Sequence, residues 1–407
     1  MPKHVLFYAV HCPCPPKTGE HVRYLQILQG LIDAGLRVSV AGSTLHSETG
    51  WTQEGCRDLR RRGVHEVYVH RPGRFGRLAN RVERLVQRRF GWKPTTAHAL
   101  FCPISLRRWF QLLAQRLNLD VLYLNHFWFD QLVSHNGLHG VHRVMEAHVI
   151  MSLNSHFYER VNGLINQFKS GGGGEDLFDV NMALTDACEL DPVELGVYDR
   201  YETIISISEP NRELLQPHLT HARVAWVPMT ISGTVIDNDY SGSAVFMAGP
   251  NPFNLQGLLY FVHRVLPIIH ARAPDFTLEV TGAFKDEVNG VRGVRHAGFV
   301  SDLDSVLRRA VMCVCPVFVC TGQQIKIVEA MANGLPVVAL KAGALTSPLE
   351  HERNGFVANS AGEFAEHAIK LWQDRELCRS IGAVARESSR EWCERHDSSR
   401  IFADLLR

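Results

Sequence analysis

No stretch of the 407 residues approaches the roughly 18 to 20 uninterrupted apolar residues that a membrane span requires. The opening stretch MPKHVLFYAVHCP has only a short apolar run and no small-residue cleavage site. It reads as a first β-strand rather than a signal peptide. Ten cysteines are present, but in no framework spacing, so free and mostly buried thiols in a reducing cytoplasm are expected. Cys12 and Cys14 lie near His11 and His21 but are separated by a single proline, short of the usual zinc-ligand spacing. No metal site is expected. Cys313 and Cys315 share one face of a buried strand, which is ordinary core packing. The formal net charge is only +1, so whole-chain charge gives no argument for nucleic acid. The hydrophobic and charged fractions, 45% and 21%, are those of an ordinary globular protein.

What the chain does have is strand and helix in alternation, twice over. The first block opens with strand His4 to Val10, a proline-rich loop, helix Glu20 to Ala34 and strand Arg37 to Ala41. Further strands are expected at Val64 to Val69, Val121 to Leu124, His142 to Ala147 and Thr203 to Ile207. The second block restarts with strand Ala244 to Ala248, helix Gln256 to His270 and strand Thr277 to Thr281, then Val294 to Phe299 and helix Asp302 to Arg309. This pattern predicts an α/β protein with two Rossmann-like, doubly wound parallel sheets facing a central cleft. The expected division is an N-terminal domain over 1–236, a linker over 237–243, a C-terminal domain over 244–385, and a C-terminal helix over 386–407 packing back toward the first domain. The four glycines Gly171 to Gly174 read as an unpacked surface loop or as a mobile flap on the acceptor side.

The segment from Met312 to Leu340, MCVCPVFVCTGQQIKIVEAMANGLPVVAL, carries the chemistry. It predicts a buried strand (Val311 to Val319), a polar turn (Cys320 to Gln324), a helix (Ile325 to Asn333), a glycine stop at Gly334 and a second strand (Pro336 to Leu340). A helix starting after a glycine-bearing loop, at the carboxyl end of a parallel strand, suits an anion. Lys326 adds positive charge. Glu329, one helical turn later, disfavours a bare phosphate but can accept hydrogen bonds from ribose hydroxyls. Phosphate plus sugar on one loop points to a nucleotide sugar. The plainer alternative is a solvated Lys326–Glu329 pair on a helix surface.

A second informative region runs from Arg57 to Lys93, with 11 arginines and one lysine against three acids, a local net charge of +9. From Arg74 to Phe90, arginines 74, 77, 81, 84 and 88 follow a helical spacing, with Phe75, Leu78, Val82, Leu85 and Phe90 on another face. Two readings stand: a basic amphipathic helix on an anionic membrane surface, or a domain helix with its apolar face on the sheet. Nucleic acid is not expected, because no aromatic platform or binding module accompanies the charge.

These residues also carry a family resemblance. GQQIKIVEAMANGLPVVAL resembles the donor motif of retaining glycosyltransferases of the GT-B fold, of the glycosyltransferase family 4 type (glycosyl transferases group 1). FMAGPNPFNLQGLLYFVHRVLPIIHARAPDFTLEVTG and VRHAGFVSDLDSVLRRAVMCVCP resemble the preceding parts of that donor domain. PPKTGEHVRYLQILQGLIDAGLRVSV resembles the N-terminal glycine loop and first helix, so the likeness covers nearly the whole chain. It implies that Glu329 bonds the ribose, that Lys326 and loop residues Gly322 and Gln323 hold the donor diphosphate, and that Gly19 faces that diphosphate. It further implies that His148, in VMEAHVIMS, lies near the transferring sugar; on the residues alone it is equally a buried structural histidine. Lys17, Arg23 and His126 are candidate acceptor or phosphate contacts, although the aromatic surroundings of His126, YLNHFWFD, also suit a core residue. Two departures stand out. Thr321 replaces a glutamate found in many relatives, and Asn251 and Asn254 lie where many have an arginine and a lysine.

The implied reaction moves a sugar from a nucleotide-diphosphate sugar to a hydroxyl acceptor (glycan, lipid-linked or small molecule) with retention of configuration. The departing phosphate takes the acceptor's proton, so no glycosidase-type carboxylate pair and no cofactor or catalytic metal is expected. The implied location is cytoplasmic, peripheral on the inner membrane face if 74–90 docks there. A nucleotide-sugar epimerase or hydrolase, or a non-catalytic sugar-nucleotide-binding subunit, are the alternatives.

Overall fold

A computed structural model describes residues 2–45, 50–89, 101–133, 138–185, 188–231, 237–300 and 302–406. The chain divides into two compact units, Met1–Val149, Leu190–Met229 and His396–Arg407 in one, Ile150–Glu189 and Thr230–Arg395 in the other. Each is built on its own parallel sheet.

The first sheet has seven strands: β1 (His4–Tyr8), β2 (Arg37–Ser43), β3 (Glu66–His70), β4 (Val121–Asn125), β5 (His142–Ala147), β6 (Thr203–Ser206) and β7 (Arg223–Trp226). Their order is β3-β2-β1-β4-β5-β6-β7, all parallel. Every residue of β1 is buried, as expected of a strand covered on both faces. Helix Gly19–Asp33 lays Tyr24, Ile27 and Leu31 against Val5, Phe7, Val38 and Val40. Thr18 caps it, accepting the His21 N–H at 3.3 Å.

The second sheet has six strands: β8 (Ala244–Ala248), β9 (Leu278–Gly282), β10 (Val294–Gly298), β11 (Cys313–Cys315), β12 (Val337–Leu340) and β13 (Phe356–Ala358). Their order is β10-β9-β8-β11-β12-β13. Strand order reverses direction between β1 and β4, and again between β8 and β11. Such switch points open a crevice at the carboxyl ends of the strands, where ligands of α/β sheets bind.

The unit boundaries differ from the expected 1–236 and 244–385. Helix Met151–Lys169 buries Phe157, Val161 and Ile165 in the core of the second unit, beside Leu177 and Phe178. Gln256 fastens the same segment, its Nε2 donating to the Leu177 carbonyl at 2.9 Å. The expected linker 237–243 is packed structure of the second unit. Tyr240 is buried there and donates its hydroxyl to the Gly334 carbonyl at 2.8 Å, and the Gly242 N–H donates to the Arg309 carbonyl at 2.7 Å. The expected single helix over 386–407 is two. Arg375–Arg395 belongs to the second unit, and Ser398–Leu405 places Phe402 in the core of the first.

Gly171 to Gly174 lies at the surface as expected, but it is packed at alternate positions rather than unpacked throughout. Gly171 takes the left-handed conformation at φ +92°, and the Gly172 N–H returns to the Gln167 carbonyl at 2.9 Å, closing helix Met151–Lys169. A Cβ on Gly174 would lie 2.6 Å from the Phe178 ring. Gly172 and Gly174 are in close packing, whereas a Cβ on Gly171 or Gly173 would meet nothing within 4 Å.

Helix Arg74–Arg89 forms as the spacing predicts. Leu78, Val82 and Leu85 are 59%, 52% and 66% exposed, so this apolar stripe is not laid on the sheet as an ordinary domain helix would lay it. The Phe75 side chain, the Arg84 and Arg88 side chains, Phe90 and Lys93 fall outside the described residues. Among the described residues, no helix is long and apolar enough to cross a membrane.

Candidate functional site

The second unit presents the predicted donor segment at its switch point. From β11 the chain runs extended to Cys320, turns through Thr321 to Gln324, and enters helix Ile325–Ala332. No side chain caps this helix; the Gln324 N–H instead donates to Thr346 Oγ1 at 3.0 Å. Gly334 ends the segment at φ +71°, the conformation that releases a chain from a helix.

Lys326 turns inward. Its Nζ donates to Asn254 Oδ1 at 2.5 Å and lies 4.6 Å from the centre of the Phe246 ring. No carboxylate pairs with it among the described residues. Burial pushes its pKa down, with the neighbouring thiols of Cys315, Cys313 and Cys320 acting in the opposite sense. A solvated pair with Glu329 is therefore not what forms. Glu329 is half-buried, and its carboxylate has no hydrogen bond or ion pair among the described residues. Burial, and after it the charge of Asp304, raises its pKa.

Gly322 and Gln323 occupy the turn between β11 and this helix, Gly322 accepting a contact from Cys320 Sγ at 3.2 Å. Two departures from the family pattern acquire a physical account here. Thr321 is buried and donates its Oγ1 to Asn154 Oδ1 at 2.7 Å. Asn251 caps helix Pro252–Tyr260 by accepting the Asn254 N–H at 2.9 Å. Asn254 then fixes Lys326 through its carbonyl oxygen and the loop after β8 through its amide, which donates to the Gly249 carbonyl at 3.0 Å. Sequence reasoning noted Asn254 only for the missing lysine. The Asn-x-x-Asn cap pattern was readable; its hold on Lys326, 72 residues away, was not.

The first unit gathers a second cluster at its own switch point. Glu20 in the first turn of its helix accepts bonds from the Tyr24 hydroxyl and from His126 Nε2, the latter at 3.2 Å. His126 follows β4 with φ +66°, an unusual backbone state for a side-chain-bearing residue, of the kind held at functional sites. Its ring lies 4.4 Å from that of His148 and stacks on Trp128. His148 follows β5. Its Nε2 is buried and has no hydrogen-bond partner, and burial, then the charges of His126 and Arg23, pushes its pKa well down. The imidazole is neutral, with a ring nitrogen unpaired, the state in which it can contact a ligand hydroxyl.

Burial opposes ionisation of Glu20, but the bonds from His126 and Tyr24 outweigh it and carry its pKa from 4.5 to about 2. Its folded value lies below its unfolded value, so its contribution to stability is full above the unfolded pKa and is lost as pH falls through about 2. Urea unfolding at a series of acid pH values should therefore show a steeper loss for the natural protein than for Glu20→Gln. Parallel curves would contradict this assignment.

Of the other expected contacts, Gly19 opens the helix, and a Cβ there would meet nothing within 4 Å, so internal packing does not demand glycine. Lys17 is exposed. Arg23 is not available as a phosphate or acceptor contact. It is 1% exposed, and its Nε and Nη2 donate to Glu146 Oε1 at 2.9 and 2.7 Å, while the Tyr123 hydroxyl donates to Oε2 of the same carboxylate. Its position on the inner face of the helix turns the guanidinium onto β5. Cys12 is buried, its thiol pushed up to about 11 by burial.

Residues 242–374 match the family model described as Glycosyl transferases group 1. An uncharacterized 44.6 kDa protein in the cps region of Klebsiella pneumoniae is 22% identical over 168 residues, which is 38% of this chain and 42% of the relative. The alignment thus spans less than half of that relative's length. Among solved structures, sucrose-phosphate synthase of Thermosynechococcus elongatus superposes at a TM-score of 0.67 with 13% identity, over 99% of both chains. Anabaena HepE, solved with UDP and glucose, superposes at 0.59 with 16% identity, over 99% of both chains. A TarM mutant from S. aureus, solved with fondaparinux, alpha-GlcNAc-glycerol and UDP, superposes at 0.66 with 10% identity, again over 99% of both chains. The chain has the GT-B fold of glycosyltransferase structures, and its residues 242–374 match the glycosyl transferases group 1 domain.

Proposed function

We propose that this protein transfers a sugar from a nucleotide-diphosphate sugar to a hydroxyl acceptor with retention of anomeric configuration. The observation that carries the reading is Glu329, a half-buried carboxylate without a partner among the described residues, one turn from a buried lysine at the start of a helix. A carboxylate so placed suits the two hydroxyls of a ribose. Lys326 and the positive end of the helix dipole suit the diphosphate. As the anomeric C–O bond lengthens, negative charge grows on the departing phosphate, and fixed positive charge lowers that barrier more than a strong nucleophile would. The phosphate leaves carrying the acceptor's proton, so the reading needs no metal or cofactor. His148, neutral and unpaired at Nε2, is proposed as the contact to the reacting sugar. Thr321, already bonded to Asn154, replaces an acid at the sugar end, which points to a donor whose sugar is held by neutral groups.

The exposed stripe of Leu78, Val82 and Leu85 among arginines supports a lipid-linked acceptor approached from an anionic membrane surface, on the cytoplasmic side. HepE and the TarM mutant were each solved with UDP, which makes UDP-sugars the first donors to try. A thermal-shift screen of UDP-, GDP-, dTDP- and ADP-sugars, followed by product analysis, tests the proposal. One donor should raise the melting temperature and yield an axial-to-axial or equatorial-to-equatorial product by NMR. Inversion would remove retention. Free nucleotide without a glycosylated product would mean a hydrolase or epimerase, binding without turnover a non-catalytic subunit, and no shift by any donor would remove the nucleotide site.

A further inference from the structure

At the carboxyl edge of β2 and β3 the first unit holds a pocket of about 470 Å³ that the donor chemistry does not use. Thr44 follows β2, Arg71 and Pro72 follow β3, and Arg77, Asn80 and Arg81 come from the first two turns of helix Arg74–Arg89. Its volume lies within the usual range of small-ligand sites, roughly 300–1,000 Å³. Three arginines line it, and no carboxylate does among the described residues. Arg71 is oriented by its own bond, its Nη2 donating to the Trp51 carbonyl at 2.9 Å. Asn80 is 6% exposed; its Oδ1 accepts the Ser105 hydroxyl at 3.3 Å, but its Nδ2 has no partner. A buried amide donor left unpaired in a pocket lined by arginines is costly unless an acceptor oxygen reaches it. Arginine forks match phosphate oxygens two at a time.

We propose that this pocket binds a phosphate or diphosphate group of the acceptor. The anion's oxygens take bonds from Arg71, Arg77 and Arg81, and one takes the Asn80 amide. The word acceptor rests on the transferase reading; the anion site does not. The same helix carries the exposed Leu78, Val82 and Leu85 stripe, so one element would hold a charged head group and shelter an attached apolar chain.

The test titrates inorganic pyrophosphate into the full-length protein by calorimetry, with the natural chain, Arg77→Gln/Arg81→Gln, Asn80→Asp and Lys326→Met. The double arginine variant is expected to bind at least tenfold more weakly and with a shallower salt dependence. Asn80→Asp should bind as weakly, with an unchanged melting temperature confirming its fold. Lys326→Met should retain the arginine-dependent binding, which separates this pocket from the nucleotide site. In parallel, sedimentation with zwitterionic vesicles, with and without an anionic phospholipid, distinguishes a membrane source of phosphate. Pyrophosphate binding indifferent to the arginines overturns the proposal. So do arginine changes that abolish only vesicle binding, which would make the patch a lipid dock without a site. If nucleotide sugars fail to bind while pyrophosphate still binds through the arginines, the pocket stands and the transferase reading falls.

Discussion

Lys326→Met is expected to weaken nucleotide binding by about 10- to 100-fold while leaving the melting temperature unchanged or higher. The first half follows from the ligand. A hydrogen bond to a charged group contributes about 1.5–3 kcal/mol, and each 1.4 kcal/mol or so is tenfold in affinity. The second half follows from the unliganded protein. Lys326 is a buried ammonium whose only described bond is to a neutral amide and whose pKa is depressed by burial. Replacing it with an apolar side chain of similar length relieves that desolvation. A residue that is costly to the fold and valuable to the ligand identifies itself by this opposition. Turnover should fall further, by about 10²- to 10³-fold, because charge on the departing phosphate grows beyond that of the bound donor. Glu329→Gln should lose a comparable amount of affinity on the ribose side.

The pH dependence of binding separates the two residues. Lys326 loses its proton at a lower pH than an ordinary lysine, so affinity falls as pH rises through that depressed value. Glu329 gains its proton at a higher pH than an ordinary glutamate, so affinity falls as pH drops through that raised value. The profile should be a narrow bell. Lys326→Met should remove the alkaline limb, and Glu329→Gln the acid one. If nucleotide affinity survives both substitutions, the ligand is elsewhere.

Arg23→Met should destabilise the first unit by about 3–5 kcal/mol, because it leaves the Glu146 carboxylate buried without its counter-charge. Both side chains are essentially inaccessible, at 1% and 0%. The Tyr123 hydroxyl still donates to that carboxylate, but a neutral donor does not cancel its charge. Adding Glu146→Leu should restore most of the loss, since a buried pair replaced by apolar side chains is often neutral. Urea unfolding of the full-length protein reads both effects. A single-variant loss below about 1 kcal/mol would place the pair in contact with water, where ion pairs contribute that little. The same experiment distinguishes a structural arginine from the phosphate contact that its position beside Gly19 suggests.

Much of the architecture was legible because it rests on local pattern. Apolar runs such as VLFY and AVFM can be strands only if both faces are covered, and their alternation with helices makes the sheets parallel. The two strands overlooked, Arg223–Trp226 and Phe356–Ala358, are four and three residues long and are the last strands of their sheets in chain order. The assignment of 150–189 was illegible for a different reason. Helix Met151–Lys169 shows an apolar face like any other, and nothing in that face says which of two cores receives it. The same limit applies to Tyr240, whose surroundings from Asp237 to Ser243 read as a polar linker until its ring is seen buried and its hydroxyl on Gly334.

The chemistry divides along the same line. The sequence by itself determined that a lysine and a glutamate stand one turn apart at the start of a helix after a glycine-bearing turn, because helical geometry is local. It also determined the basic amphipathic stretch over 74–90. Only the tertiary structure decided which charges are spent on the protein and which are left for a ligand. Arg23 is consumed by Glu146, 123 residues away, and Lys326 is held by a neutral asparagine, 72 residues away. Among the described residues Glu329 is left without a partner, and Asn80 with an unpaired amide beside three arginines. Pairing of buried charge depends on contacts between segments distant in the chain, and those are fixed by packing rather than by spacing.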